Sequence, residues 1–310
     1  MKKILGIMVL GLLWCNISFA DNYKIGQEIE NEFRFTKKIK YPLEPGIWVV
    51  TEKNVWFYGG IKIRFFGIAL IENNELISYR EFQEGIMSGS YQSELNTALY
   101  EYFYLDKYDG CYQRTEYTLV KKYSKGSSTN CLLIRHSDVK KILYNPDDPR
   151  RLSENIKLRK WIKDYDIKVP DILLGSWHAY FSRTVSSNLY TVAYSDNPKY
   201  FNGPKHDFST EETSEYHPSN INKHPKFKKY MDEFIKISAA RHMEFEKIVS
   251  AKTHHRLDFS SIGIDNKKKT KVKTLKNNDM IKQLNDLKKL LDEGVITQDE
   301  FTKAKKKILN

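Results

Sequence analysis

The sequence predicts an α+β protein: an antiparallel β-rich body with packed helices, followed by a C-terminal two-helix hairpin. Three observations carry that expectation. Between residues 47 and 82, runs of β-branched and aromatic residues are separated by Gly59-Gly60 and Asn73-Asn74, pairs suited to tight turns. Residues 225–251 repeat apolar side chains at spacings of three and four, as a helix with one buried face requires. Residues 279–310 hold two shorter amphipathic stretches on either side of Gly294.

The first twenty residues have the layout of a secretory signal peptide. Lys2 and Lys3 precede an uncharged apolar run from Ile4 to Trp14, and Ser18-Phe19-Ala20 supplies a small residue for cleavage ahead of Asp21. That run is shorter than the roughly 20 apolar residues a permanent spanning helix needs. Acylation at Cys15 is the rival reading, but bulky Trp14 stands where a small residue is expected. The expectation is an exported protein, periplasmic or secreted. Removing 20 of 310 residues leaves enough chain for one large domain or two small ones, with Asn145 to Arg151 as the seam between them.

Composition supports a folded core, with 20 Tyr, 16 Phe and 29% charged residues. The formal charge of +12 falls to +10 once Lys2 and Lys3 leave with the signal. Such a surplus favours solubility and could attract anionic lipid or acidic polysaccharide; export argues against nucleic acid as a partner. With Cys15 removed, Cys111 and Cys131 remain as a pair, and an oxidising compartment predicts a structural disulfide between them. A hairpin turning at Gly126 would place Cys131 opposite a residue near Lys122. The bridge therefore needs a bulge, a fold-over of the Gly110 turn, or another strand pairing.

In chain order, Phe33, Phe35 and Ile39 alternate with charged neighbours in a first strand over 33–40, which Pro42 and Pro45-Gly46 break. Strands follow at 47–50, 55–58, 61–71 and 76–82, with Lys53-Asn54 as an additional turn. Ile61, Ile63, Phe65 and Gly67 alternate with Lys62, Arg64 and Phe66, which predicts that part of the sheet has one face in water. Residues 90–108 switch to helical spacing, and a hairpin spans 111–136. Ser137 and Ser153 cap short helices, the second offering Ile156, Trp161, Ile162 and Tyr165 to a core. Strands return at 172–181 and 189–194. Some thirty irregular residues then lead to Pro225, which suits the first turn of a long helix whose stripe is Phe227, Met231, Phe234, Ser238, His242, Phe245 and Val249. Residues 257–278, with six lysines between Lys267 and Lys276, read as a self-repelling linker able to make weak contacts with anionic surfaces.

In the final segment Ile281, Leu284, Leu287, Leu290 and Leu291 form one stripe, and Phe301, Ala304, Ile308 and Leu309 a second. Gly294 suits the left-handed cap that ends the first helix, and Thr297 with Glu300 forms a capping box that starts the next. The run from Leu290 to Phe301, with Glu293-Gly294, Ile296-Thr297 and Glu300-Phe301 before a lysine-rich tail ending in Ile308-Leu309, closely resembles the SHOCT family of short C-terminal modules. That resemblance implies a two-helix element for oligomerisation or partner binding, with no catalytic residues. Two such short helices are marginal alone, so docking onto a second copy, another protein or the chain's own body is expected to cover Leu284, Leu287, Leu290, Leu291, Ile296, Phe301, Ile308 and Leu309.

Candidate chemistry is concentrated in the second half. Seven of the eight histidines lie between His178 and His255, including His206 beside Asp207, His217, His224, the adjacent His254 and His255, and His242 one helical turn from Glu246. Their density is compatible with a zinc or copper site, but no spacing matches a metal motif, and His242 on the apolar stripe reads as a hydrogen-bonded core residue. Ser176 and His178 share a strand face, yet the flanking glycines of a nucleophile elbow are incomplete. Asp171, Asp207 and Glu215 could serve as paired carboxylates, although no spacing selects them, and Trp48, Trp56, Trp161 and Trp177 could form a sugar platform, although core packing is the expected use for most of these aromatics. No cofactor motif is present. The leading expectation is a non-enzymatic binding or assembly protein acting through its C-terminal hairpin. The alternative is a periplasmic hydrolase or metal-binding protein with its site in 178–224.

Overall fold

A computed structural model describes residues 22–36, 38–58, 61–86, 111, 117–124, 128–139, 160–182, 186–206, 212–250, 256–262, 287, 290–291 and 293–309. The signal segment, the helix expected at 90–108, the 145–151 seam and residues 263–278 lie outside them. The chain divides into two compact units, Met1–Ile264 and Asp265–Asn310.

The first unit is built on ten described strands: β1 (Glu28–Ile29), β2 (Glu32–Arg34), β3 (Lys40–Pro42), β4 (Trp48–Tyr58), β5 (Ile61–Glu72), β6 (Glu75–Ile86), β7 (Thr118–Ser124), β8 (Ser128–Asp138), β9 (Ile172–Ser182) and β10 (Ser186–Asp196). Eight form one antiparallel sheet in the order β1, β4, β5, β6, β10, β9, β8, β7, and β2 pairs with β3 separately. The large sheet is thus two meanders joined along their last strands, β6 lying against β10 from Ile86 opposite Asn188 to Ser78 opposite Asp196. At the β5–β6 turn Asn73 and Asn74 take φ of 51° and 57°, the left-handed pair that matches the twist of a hairpin.

Two local expectations give way to the sheet. Lys53-Asn54 is not a turn: β4 runs through it, with a register shift between Val50 and Glu52, because its ladder to β5 satisfies the backbone that a turn would otherwise serve. The stretch 33–40 is not one strand but the core of a β2–β3 hairpin, with Phe33 opposite Tyr41; its turn is closed by Ile39 N donating to Thr36 Oγ1 at 2.9 Å. Ser137 lies within β8, and the short helix expected to follow it falls beyond Val139 on residues outside those described.

The long helix α1 (Pro225–Val249) starts at Pro225, and all seven residues of its expected stripe are buried. It packs on β8 and β9. The β2–β3 hairpin lies on the same face of the sheet, where Phe33 and Tyr41 approach Phe82 at ring-centroid separations of 4.5 and 4.8 Å. The opposite face is covered around Trp161 and Ile162, which join Ala69, Leu76, Tyr79, Val139 and Leu173. Along most of residues 61–67 both faces are dry and only Lys62 is exposed, while Val55 and Phe57 on the facing strand β4 leave that part of the sheet open to water. Arg64 is sealed because Glu84 takes both its Nε and Nη2, so its charge signals an internal ion pair and not solvent.

Cys111 and Cys131 are bonded, with Cα atoms 5.9 Å apart. Within the ladder Cys131 faces Lys121 and Ala179, so Cys111 reaches it from outside the sheet, over the face that also holds Trp177. The expected linker also begins too early: Leu257 and Phe259 are buried in the cluster of α1, and the body continues through the short turn Ser260–Ile262.

Candidate functional site

Between α1 and the sheet runs a buried line of polar side chains. Strand alternation puts Ser176 and His178 on one face of β9, the 3.6-residue period puts His242 and Glu246 on the sheet side of α1, and Asn130 comes from β8. The bonds are Ser176 Oγ to His178 Nε2 at 2.9 Å, His178 Nδ1 to His242 Nδ1 at 3.0 Å, and His242 Nε2 to Asn130 Oδ1 at 2.8 Å. Asn130 Nδ2 and the Leu257 amide then both donate to Glu246 Oε1 at 2.7 Å.

The Asn130 amide sets the direction of the whole line. Since its nitrogen donates to a carboxylate, its oxygen accepts from His242 Nε2–H. A neutral His242 then has an unprotonated Nδ1 that accepts from His178 Nδ1–H, and His178 Nε2 accepts from the Ser176 hydroxyl. Burial, reinforced by His242, Arg241 and Arg80, holds the His178 pKa well below its ordinary value and keeps the ring neutral. Ser176 and His178 thus have nucleophile–base geometry, but they are 2% and 0% exposed and closed to a substrate.

A second cluster adjoins the first through Tyr194, whose ring meets His178 edge-on at 4.9 Å. Arg80 from β6 and Arg241 from α1 flank Tyr194, with guanidinium carbons 4.5 and 4.8 Å from its centroid. Asp196 accepts from Arg80 Nη1 at 2.7 Å and Arg241 Nη1 at 2.6 Å, and Ser78 Oγ also donates to it. Glu44, in the segment between β3 and β4, accepts from the Nη2 atoms of the same arginines at 3.1 and 2.8 Å. Burial alone would raise the Asp196 carboxyl, but Arg241, Arg80 and the Ser78 hydroxyl outweigh it and hold the group far below the usual carboxylate range. The same balance lowers Glu44, raises Arg241 and leaves the Tyr194 phenol pushed up to about 12. Two cations and two anions close on each other, so the cluster ties β6, β10, α1 and the β3–β4 segment together.

The remaining histidines do not join this line. His136 lies edge-on to His217 at 5.6 Å, His206 to Tyr216 at 5.9 Å and His224 to Phe227 at 5.8 Å, while His254 and His255 lie outside the described residues. Among the described residues no group of three His, Cys, Asp or Glu could hold a metal ion. Asp171 is exposed just ahead of β9, Glu215 lies in the loop before α1, and Asp207 is outside the described residues. The tryptophans divide between faces: Trp48 packs under Arg80 on the α1 side, Trp161 and Trp177 belong to separate clusters on the other, and Trp56 lies against Phe65. Sequence reasoning found Ser176, His178, His242 and Glu246 but missed Asn130, Arg80, Asp196, Arg241 and Glu44. Arg80 stands in a strand that also carries Glu75, Glu81 and Glu84, so no local pattern singles it out.

In the second unit, residues 293–296 form a turn into helix α2 (Gln298–Leu309). Gly294 has φ of 71°, Gly294 N donates to Leu291 O at 3.0 Å and Val295 N to Leu290 O at 2.9 Å, the paired bonds of a Schellman cap. Thr297 N and Oγ1 both donate to Glu300 Oε2 at 2.9 Å, and Glu300 N donates back to Thr297 Oγ1 at 3.3 Å, closing the capping box. Leu290 and Val295 are 38% and 64% exposed, whereas Leu287, Leu291, Ile296 and Phe301 are half-buried. Leu284 and the side chains of Ile308 and Leu309 lie outside the described residues.

Across the chain no curated protein and no solved structure matches. Residues 282–309 match the family model of SHOCT, the short C-terminal domain.

Proposed function

We propose that this is a non-enzymatic binding or assembly protein, exported to the periplasm or the medium, that self-associates or recruits a protein partner through a SHOCT two-helix hairpin over 279–310. One observation carries the reading: Leu290 and Val295, which occupy the two positions of the Schellman cap that normally pack on each other, are exposed at the turn. Apolar side chains presented at a rigidly capped turn are suited to covering by another surface. The lysines between Lys267 and Lys276 add a secondary, salt-sensitive attraction to anionic surfaces. A single disulfide between Cys111 and Cys131 is in keeping with an oxidising compartment.

The second reading, a hydrolase or metal-binding protein centred on 178–224, has the Ser176–His178 hydrogen bond in its favour. The sealing of both groups weighs against it. Light scattering on the mature chain with and without residues 265–310 tests the leading reading. A dimer or larger species that becomes monomeric on truncation supports self-association. A monomer in both cases, with no protein partner retained by the full chain, overturns it.

A further inference from the structure

The contact between His178 Nδ1 and His242 Nδ1, 3.0 Å apart between nearly parallel rings, accommodates one proton. If both nitrogens carried hydrogen, two donors would face each other with no acceptor between them. At neutral pH the hydrogens all run one way, from Ser176 through His178, His242 and Asn130 to the Glu246 carboxylate, and every nitrogen of the two rings is engaged. An added proton has one entry, His178 Nε2, where the Ser176 hydroxyl must turn from donor to acceptor. The charge then resides on the imidazole pair in an interior already holding two guanidiniums.

We propose that the His178–His242 pair is an acid-operated latch that fastens the C-terminal half of α1 to β9 and releases it when the pair takes up a proton. Its surroundings set its response. From α1 the pair meets Arg241, Phe245 and Glu246; from β9, Ser176; from β10, Tyr194 with Asp196 behind it; from β6, Arg80; from β8, Asn130; and from the segment after α1, Phe259. The carboxylates of Asp196 and Glu44 are already committed to the two arginines, which leaves Glu246, 3.6 Å from His242 Nε2, as a counter-charge held by neither of them. Glu246 also holds Asn130 and the Leu257 amide. Drawing it to a charged His242 therefore loosens both the β8 contact and the segment that follows the helix. Burial and the neighbouring arginines favour the neutral form of His178 while the helix is docked, and solvation favours its charged form once the helix lifts.

Native-state hydrogen exchange on the full chain between pH 7.5 and 5 tests the latch, with opening constants corrected for intrinsic exchange. The α1 amides from residue 239 to 249 should open about tenfold more often per pH unit below roughly pH 6.5, the ordinary histidine value, while β5 and β6 amides hold steady. His178→Gln should flatten that slope, and His136→Gln should leave it intact. A flat profile in the unaltered chain, or an equal slope in β5 and β6, overturns the proposal. Imidazole nitrogen NMR gives a check that needs no substitution. At pH 7.5 His178 should be the Nδ1–H tautomer and His242 the Nε2–H tautomer; either ring charged, or the tautomers reversed, also overturns it.

Discussion

Arg241 Nη1 donates to Asp196 Oδ2 at 2.6 Å, joining the middle of α1 to the last residue of the last sheet strand. Glu44 takes the other arm of the same guanidinium at 2.8 Å, so a single side chain secures the helix to both β10 and the N-terminal part of the body.

Asp196→Asn should destabilise the fold by about 3 kcal/mol, because two buried guanidiniums lose their principal counter-charge. The acid dependence has a definite sign. The native carboxyl stays ionised well below the unfolded value near 3.9, so the unfolded chain binds the extra proton and stability falls as pH drops below about 4. Urea unfolding at pH 7 and pH 3 should show a smaller gap between wild type and Asp196→Asn at the lower pH. An unchanged gap would remove Asp196 as the source.

Gly67→Ala should cost about 1–3 kcal/mol through overpacking. A Cβ at Gly67 would lie 2.2 Å from the Tyr79 hydroxyl and 3.0 Å from its ring carbon. Tyr79→Phe removes the obstructing oxygen, together with the bond it donates to buried Glu52 at 3.0 Å. The double variant should therefore be more stable than the sum of the two single losses predicts. Additive unfolding midpoints would show that the clash is relieved elsewhere.

Replacing Cys111 and Cys131 together by Ser should lower stability by about 3 kcal/mol, on the loop-entropy estimate for a bridge with a sequence separation of 20. Adding reductant should bring the unaltered protein to a similar urea midpoint. A midpoint indifferent to reductant would mean that the bridge constrains little in the unfolded chain.

Thr297→Ala should reduce amide protection at the start of α2 several-fold and leave α1 untouched, since it deletes a side chain that both accepts from Glu300 N and donates to the Glu300 carboxylate. Gly294→Ala forces a φ of 71° on a residue with a Cβ, although open space surrounds the position. It should weaken the turn through backbone strain alone. Exchange measured at residues 295–302 separates the two effects.

Much of this architecture was legible because its signals are local. Asn73-Asn74 marked a hairpin, Pro225 marked the start of α1, and its seven-residue stripe named the buried face without error. What escaped is what forms at a distance. Arg64 looked solvent-facing because its partner Glu84 lies on the next strand, and Lys53-Asn54 looked like a turn because propensity takes no account of a ladder. Glu44, Arg80, Asp196 and Arg241 are scattered over some two hundred residues, and no spacing rule links them. The histidine line was half visible: Ser176 with His178, and His242 with Glu246, are each short-range pairs, but Asn130, which orients them, comes from the other side of β9.

The seam between the two meanders also sets an order of events for a chain made from its N-terminus. Ser78 and Asp196, bonded at one end of the β6–β10 ladder, are 118 residues apart. Until Asp196 emerges, β6 waits as a bare margin of a half-built sheet, a state open to pairing with a stranger. The guanidinium of Arg80 stands on that margin, and a charge on an open strand edge disfavours such pairing before Asp196 arrives to meet it.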